Sequence, residues 1–171
     1  MDSIRSGYLT FPKTRCFQLL RWGFMLSLAL GANWAGAATP AISAGEYHTC
    51  AVNSTGAALC WGYGPYGQLG NGIDANSSTP VPVSGLSRGV ATLATGGYHT
   101  CAAMSAGAAW CWGQNYFGQL GQGGNPINTP PTANTPLPVT GLNSGVTAIT
   151  AGEDHTCTVA NGAAQCWGYG Q

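Results

Sequence analysis

Three histidine–cysteine sets are the residues in this chain best suited to chemistry: His48 with Cys50 and Cys60, His99 with Cys101 and Cys111, and His155 with Cys157 and Cys166. In each set the histidine stands two positions before the first cysteine, so on an extended strand both side chains point to one face. Two thiolates and an imidazole on one face can hold zinc and leave a fourth position open. The same cysteines can instead close a disulfide, which leaves the histidine a structural role. The spacing matches no familiar zinc pattern, and six cysteines in an exported chain favour disulfides. No His-Glu-x-x-His or P-loop occurs. The only adjacent acids, Glu153-Asp154, align with Glu46-Tyr47 and Gly97-Tyr98 and so are not a repeated feature. The expectation is a chain that is not an enzyme, with no cofactor and no metal.

Export is read from the first 37 residues. Arg5, Lys13, Arg15 and Arg21 stand there against the single acid Asp2, followed by the apolar run Trp22–Ala32 and the small-residue exit Ala35-Gly36-Ala37. This is the pattern of a secretory signal peptide, and the apolar run is shorter than the roughly 20 residues a membrane span needs. Residues 1–37 are expected to be removed, taking Cys16 with them. The product would be secreted, periplasmic or cell-surface, with no membrane span. After residue 37 the only Lys or Arg is Arg88, against Glu46, Asp74, Glu153 and Asp154, so one positive minus four negative charges gives −3. A chain with one cation cannot neutralise a phosphate backbone, and nucleic acid is excluded as a partner.

What positions the histidines and cysteines is an internal repeat. Ala44-Gly45-Glu46-Tyr47-His48-Thr49-Cys50 returns as Thr95-Gly96-Gly97-Tyr98-His99-Thr100-Cys101 and as Ala151-Gly152-Glu153-Asp154-His155-Thr156-Cys157. Each copy leads to Cys-Trp-Gly, at Cys60, Cys111 and Cys166, and the first two continue to Gly-Gln-Leu-Gly, at 67–70 and 118–121. The period is 51 residues from Cys50 to Cys101 and 56 from Cys101 to Cys157, within the range of propeller blades. The repeats are read as 38–78 (a partial blade), 79–121, and 122–171 (a loop and a third, truncated repeat). Val81-Pro82-Val83 and Leu137-Pro138-Val139 read as edge strands, because proline cannot donate to a central ladder. Segments 89–94 and 145–151 read as second strands, and the Pro-, Asn- and Gly-rich stretch 123–136 as a solvent loop. Four short antiparallel strands per repeat and no helix make an all-β fold of propeller blades.

The hairpin register follows from its turns. Asn161-Gly162 is the preferred pair for a two-residue type I′ turn and sets Cys157 opposite Cys166. Ser54-Thr55-Gly56 and Ser105-Ala106-Gly107 are three-residue loops ending in glycine, and they set Cys50 opposite Cys60 and Cys101 opposite Cys111. Opposed residues lie within disulfide reach. The same register puts His48, His99 and His155 opposite Gly62, Gly113 and Gly168, where an imidazole has room to lie over backbone and donate to a carbonyl. Trp61, Trp112 and Trp167 take the other face and are expected to pack between blades. Tyr63, Tyr66, Tyr116, Phe117 and Tyr169 lie just past those strands among Gly, Asn, Gln and Pro. Such loops either pin turns or form a binding surface like an antibody's.

These motifs, Gly-x-x-His-Thr followed by Trp-Gly-x-Asn-x-x-Gly-Gln-Leu-Gly, resemble the repeats of the regulator-of-chromosome-condensation family over residues 41–171. The resemblance implies propeller blades and, for exported relatives, a scaffold that binds a protein; a carbohydrate or cell-envelope ligand is the alternative. The nuclear members' small-GTPase partner does not suit an exported chain, and the paired cysteines depart from the nuclear pattern. No Pro-Val strand precedes Ala41, and the third repeat stops at Gln171 inside its motif. The expectation is therefore an incomplete ring of about 2.75 four-stranded blades, either continued by missing sequence or completed by assembly. An intact mass near that of residues 38–171, with six alkylations appearing only after reduction, would support leader removal and three disulfides, and a larger mass would show that the chain continues. Thiols that alkylate without reduction would return the zinc reading.

Overall fold

The computed structural model describes residues 39–123 and 130–170. The expected leader and residues 124–129 of the expected loop lie outside the described residues. Every regular element among the described residues is a strand. β1 (Ala41–Ala44), β2 (His48–Val52), β3 (Ala58–Gly62) and β4 (Ser77–Pro82) form one antiparallel sheet in that order. β5 (Val90–Thr95), β6 (His99–Met104), β7 (Ala109–Gln114) and β8 (Thr132–Pro138) form the second in the same order. β9 (Val146–Ala151), β10 (His155–Ala160) and β11 (Ala163–Gly168) form the third. The fold is all-β, and its consecutive sheets pack face to face as propeller blades do.

The turns set the register that the cysteines need. Asn161 (φ 51°) and Gly162 (φ 79°) are both left-handed, as a type I′ turn requires. In the longer loops Gly56 (φ 79°) and Gly107 (φ 85°) take that role, and Asn53 and Met104 donate to Ala57 and Ala108 at 3.0 and 2.8 Å. Both loop lengths bring the cysteines to the same rung. Cys50–Cys60, Cys101–Cys111 and Cys157–Cys166 are disulfides with Cα atoms 4.1 Å apart.

Each core lies between two sheets rather than within one. The first gathers Cys50, Cys60 and Val52 of the first sheet against Leu93, Ala102 and Trp112 of the second. The second gathers Cys101 and Cys111 against Val146 and Ala160, with Trp167 packed on it. The His/Cys face of one sheet therefore meets the Thr/Trp face of the next. β1 and β5, and β5 and β9, are neighbours, and Ser43 and Thr95 join their hydroxyls at 2.8 Å.

The sheets do not coincide with the repeats as read from the sequence. The strand bearing Pro82 pairs with β3, and the strand bearing Pro138 pairs with β7. Both are outer strands of the preceding sheet, not first strands of the next repeat. The boundaries expected after 78 and 121 therefore fall within a blade's chain path. The first sheet has four strands, and it is the third that has three among the described residues. The cause is the Gly-Gln-Leu-Gly segment. Leu69 is buried and Ser84 donates to the Gly70 carbonyl at 2.8 Å, which folds the chain back beside the strand it has just left. Residues 132–136, expected in a solvent loop, belong to β8; an edge strand tolerates Pro136 because only one side of it must pair.

Candidate functional site

A repeated polar relay crosses each interface between sheets. His48 Nε2 lies 2.7 Å from Thr100 Oγ1 on the next sheet. Thr100 donates its hydroxyl proton to the Gln68 carbonyl at 2.9 Å, and Trp112 Nε1 donates to the same carbonyl at 2.9 Å. One interface further, His99 Nε2 lies 2.9 Å from Thr156 Oγ1, while Thr156 and Trp167 converge on the Gln119 carbonyl at 2.9 and 2.8 Å. The threonine has one proton and gives it to the carbonyl, so the histidine must be the donor, with its proton on Nε2. Nδ1 of His48 and of His99 makes no hydrogen bond. Burial lowers both histidines to about 4; for His48 the Gly97 backbone opposes this in part, and for His99 the charges of His48 and His155 add to it. His155, on the third sheet, is exposed.

The imidazoles are not seated where the register suggested. The ring lies over the glycine three residues earlier: a Cβ at Gly96 would fall 2.6 Å from His99 Nδ1, and one at Gly152 would fall 2.7 Å from His155 Nδ1. The opposed Gly113 (φ +104°) sits against backbone instead, with a Cβ there only 2.7 Å from His99 Cα. It marks a register shift between β7 and β8. The acceptor is likewise a threonine hydroxyl on the neighbouring sheet and not a carbonyl of the same hairpin. The zinc arrangement has no free thiolates, because the six sulfurs are bonded in pairs and His48 and His99 turn towards threonine. Trp112 is fully buried between sheets, while Trp61 and Trp167 are half-buried.

Gln68 and Gln119 also hold the aromatic loops. Each is fully buried, and its side-chain oxygen accepts from the backbone of Tyr66 or Phe117 at 2.9 Å. The residue that receives the next blade's threonine and tryptophan thus shapes the loop that presents an aromatic ring. The β1–β2, β5–β6 and β9–β10 turns open at the same end of the sheets as these loops, since His48 pairs with Gly62 and His99 with Gly113. The hairpin tips lie at the other end. So does the segment around Arg88, where Val90 donates to Gly56 and Gly89 accepts from Ser105.

The five loop aromatics expected from the sequence separate into two groups. Tyr63, Tyr66 and Tyr116 form a chain, at 6.3 Å between Tyr63 and Tyr66 and 6.4 Å between Tyr66 and Tyr116. Phe117 packs with Tyr169 at 4.7 Å. Two tyrosines that the sequence reading passed over complete the first group. Tyr98 stacks on Tyr47 at 4.7 Å and meets Tyr66 at 5.0 Å and Tyr63 at 6.1 Å. The signal was available: tyrosine directly precedes the histidine in two repeats, and there it ends the turn that leads into β2 or β6. Tyr116 and Tyr47 remain 54% and 44% exposed. Glu46, Glu153 and Asp154 stand on the same turns. A Cβ at Gly97 would lie 3.3 Å from Glu153 Cγ and 3.6 Å from Glu46 Oε2. A hydrogen bond to the Glu46 carboxylate, and then one to Tyr98, hold the Tyr47 phenol above its ordinary range. Burial, with the Glu46 charge, raises the Asp154 carboxyl.

Models of the regulator of chromosome condensation (RCC1) repeat match residues 55–103 and 106–159, and a second model of the same repeat matches 41–68 and 90–119. The chain is similar to the human probable E3 ubiquitin-protein ligase HERC4, 41% identical over 121 residues that make 69% of this chain and 11% of HERC4. It is 31% identical over 140 residues to the mitochondrial RCC1 domain-containing protein RUG3 of Arabidopsis thaliana, covering 73% of this chain and 32% of RUG3. It therefore spans about a tenth to a third of these relatives. Among solved structures, yeast RCC1 (Prp20) bound to Kap60 superposes with a TM-score of 0.66 at 22% identity, over 76% of this chain and 32% of Prp20. That last likeness shows the fold alone.

Two outcomes test the relay. Both buried histidines have folded values near 4, below the ordinary 6.5, so the unfolded chain binds more protons between those limits. Their contribution is complete above about pH 6.5 and is lost as pH falls towards 4, at up to about 2.7 kcal/mol per pH unit for two protons. Urea unfolding across this range is predicted to show that slope; a flat profile would remove the buried neutral histidines. Thr156→Val leaves His99 Nε2–H without its acceptor and is predicted to cost about 1–3 kcal/mol by the same measurement. Unchanged stability would show the relay contributes nothing.

Proposed function

The chain belongs to the regulator of chromosome condensation repeat family, and from that premise we propose that it is an exported scaffold that binds a protein partner through its blade loops, without chemistry of its own. The observation that carries this is the contiguous tyrosine surface at one end of the sheets. Three of its members, Tyr63, Tyr66 and Tyr116, lie on loops whose backbones are tied to the neighbouring blade. Tyrosine on a rigid support offers large contact area at low entropy cost. The family relationship supports a binding role, and the yeast relative's structure holds a protein, Kap60. Export is supported by the leader-like composition of residues 1–37 and by six cysteines paired within hairpins. A cavity of about 420 Å³ beside β11 is lined by Phe117, Gln122, Thr140, Gln165 and Trp167 among others, with no free acid or base.

A photo-reactive benzoylphenylalanine placed at Tyr116, with Arg88 at the opposite end as control, tests the reading in the exported fraction of the host. Cross-linking to a protein from position 116 and not from position 88 is the expected result. Glycan-array or cell-wall binding that disappears when Tyr63, Tyr66 and Tyr116 become alanine, with no protein cross-linked at 116, would instead make this a carbohydrate or envelope module.

A further inference from the structure

We propose that the tyrosine surface receives a cationic segment of its partner, one bearing exposed arginine or lysine side chains; this deepens the protein-binding reading and rests on it. The rings come first in the argument. Tyr98 sits at the centre, in contact with Tyr47, Tyr63 and Tyr66. With Tyr116 beyond Tyr66, the surface presents π-faces and edges drawn from two adjacent blades. An aromatic face attracts guanidinium or ammonium by its quadrupole, most strongly where the cation is partly desolvated. Phenol hydroxyls add acceptors that a cation's N–H groups can use.

Charge decides what kind of ligand this surface suits. Glu46 and Glu153 approach Gly97 from the two neighbouring turns, one residue from the central Tyr98. Asp154 follows Glu153, and its carboxyl is raised in part by the charge of Glu46. Three of the four acids after residue 37 thus stand at the tyrosine end, whereas Arg88, the only Lys or Arg after that residue, lies on the opposite end. Glu46 also acts on the ring beside it, holding the Tyr47 phenol above its ordinary range. An acidic ligand would meet uncompensated carboxylates here. A neutral sugar would gain nothing from them. A guanidinium placed over Tyr98 would reach both the aromatic faces and the acids at the edge of the patch, the pairing expected of complementary potentials.

The test uses the full chain and three labelled peptides of equal length, (Arg-Gly-Ser)n, (Glu-Gly-Ser)n and (Gln-Gly-Ser)n, titrated by fluorescence anisotropy. The arginine peptide is expected to bind, to weaken as ionic strength rises, and to exceed the glutamine peptide by about tenfold or more; the glutamate peptide is expected not to bind. Tyr98→Leu should weaken the arginine peptide about five- to tenfold, the scale of one partly desolvated cation–π contact. Glu46→Gln and Glu153→Gln, exposed and of unchanged shape, should weaken it and flatten its salt dependence, whereas Tyr47→Phe should retain most binding because the ring face remains. Equal affinity for all three peptides overturns the inference. So does absence of binding, or arginine-peptide binding that these variants leave unchanged. The two readings fail separately. A protein cross-linked at position 116 through an acidic or apolar segment ends the cationic inference and leaves the protein-binding reading standing.

Discussion

A backbone carbonyl with two occupied lone pairs holds this structure together. The Gln68 oxygen accepts from Thr100 and from Trp112, and the Gln119 oxygen accepts from Thr156 and from Trp167. All four donors come from the following sheet, so neither half of the contact exists in an isolated blade. Once the threonine proton is committed to the carbonyl, the preceding blade's imidazole can only donate, which puts its proton on Nε2, and burial with Nδ1 unpartnered keeps the ring neutral. The same glutamine uses its side-chain oxygen to close the loop before it. Blade stacking and loop shape are therefore one constraint. That is why the exposed tyrosines can be positioned by a scaffold whose own residues are mostly small.

The cores explain why such polar contacts matter. They are built from alanine, cysteine, valine and leucine, with one large ring, Trp112, fully buried. Small side chains remove modest apolar area from water, and single sheets of this kind gain little by themselves. The disulfides add a constraint worth about 2–3 kcal/mol each on the chain-entropy estimate. Two of the three lie inside the interfaces, where Cys50, Cys60, Cys101 and Cys111 are fully buried, while Cys166 of the third is exposed. The glycines below the imidazoles belong to the same economy of space. Gly96 and Gly152 leave room for a ring that must lie flat to reach the next sheet, so the Gly-x-x-His spacing is a packing requirement.

The surface divides along the same axis. The ends of β1, β3, β5, β7, β9 and β11 carry the tyrosines and most of the acids of the described residues, and the hairpin-tip end carries Arg88, their only arginine. The turns that lead into β2 and β6 open at that end, so the residue just before each buried histidine stands there. Those residues are Tyr47 and Tyr98. The relay and the tyrosine surface thus meet at one peptide unit.

Much of this was legible in the sequence because it depends on local geometry. Turn length and the pleat are short-range properties, so Asn161-Gly162, Gly56 and Gly107 sufficed to place each cysteine opposite its partner and each tryptophan on the opposite face from histidine. Repetition gave the blade architecture. What the sequence left open lies between repeats, where residues about 50 positions apart meet. His48 with Thr100, Trp112 with the Gln68 carbonyl, and Tyr98 among three rings of the preceding blade have no signature in spacing. Phase was open for the same reason: a strand containing Pro82 can be read as ending one blade or starting the next, and only the fold-back at Gly70 assigns it to β3. The sequence by itself determined hairpins, because their energetics are settled within a dozen residues. Tertiary structure alone decided the partners of the histidines, the sheet each outer strand joins and the grouping of the tyrosines, because these follow from how one sheet's face lies against the next.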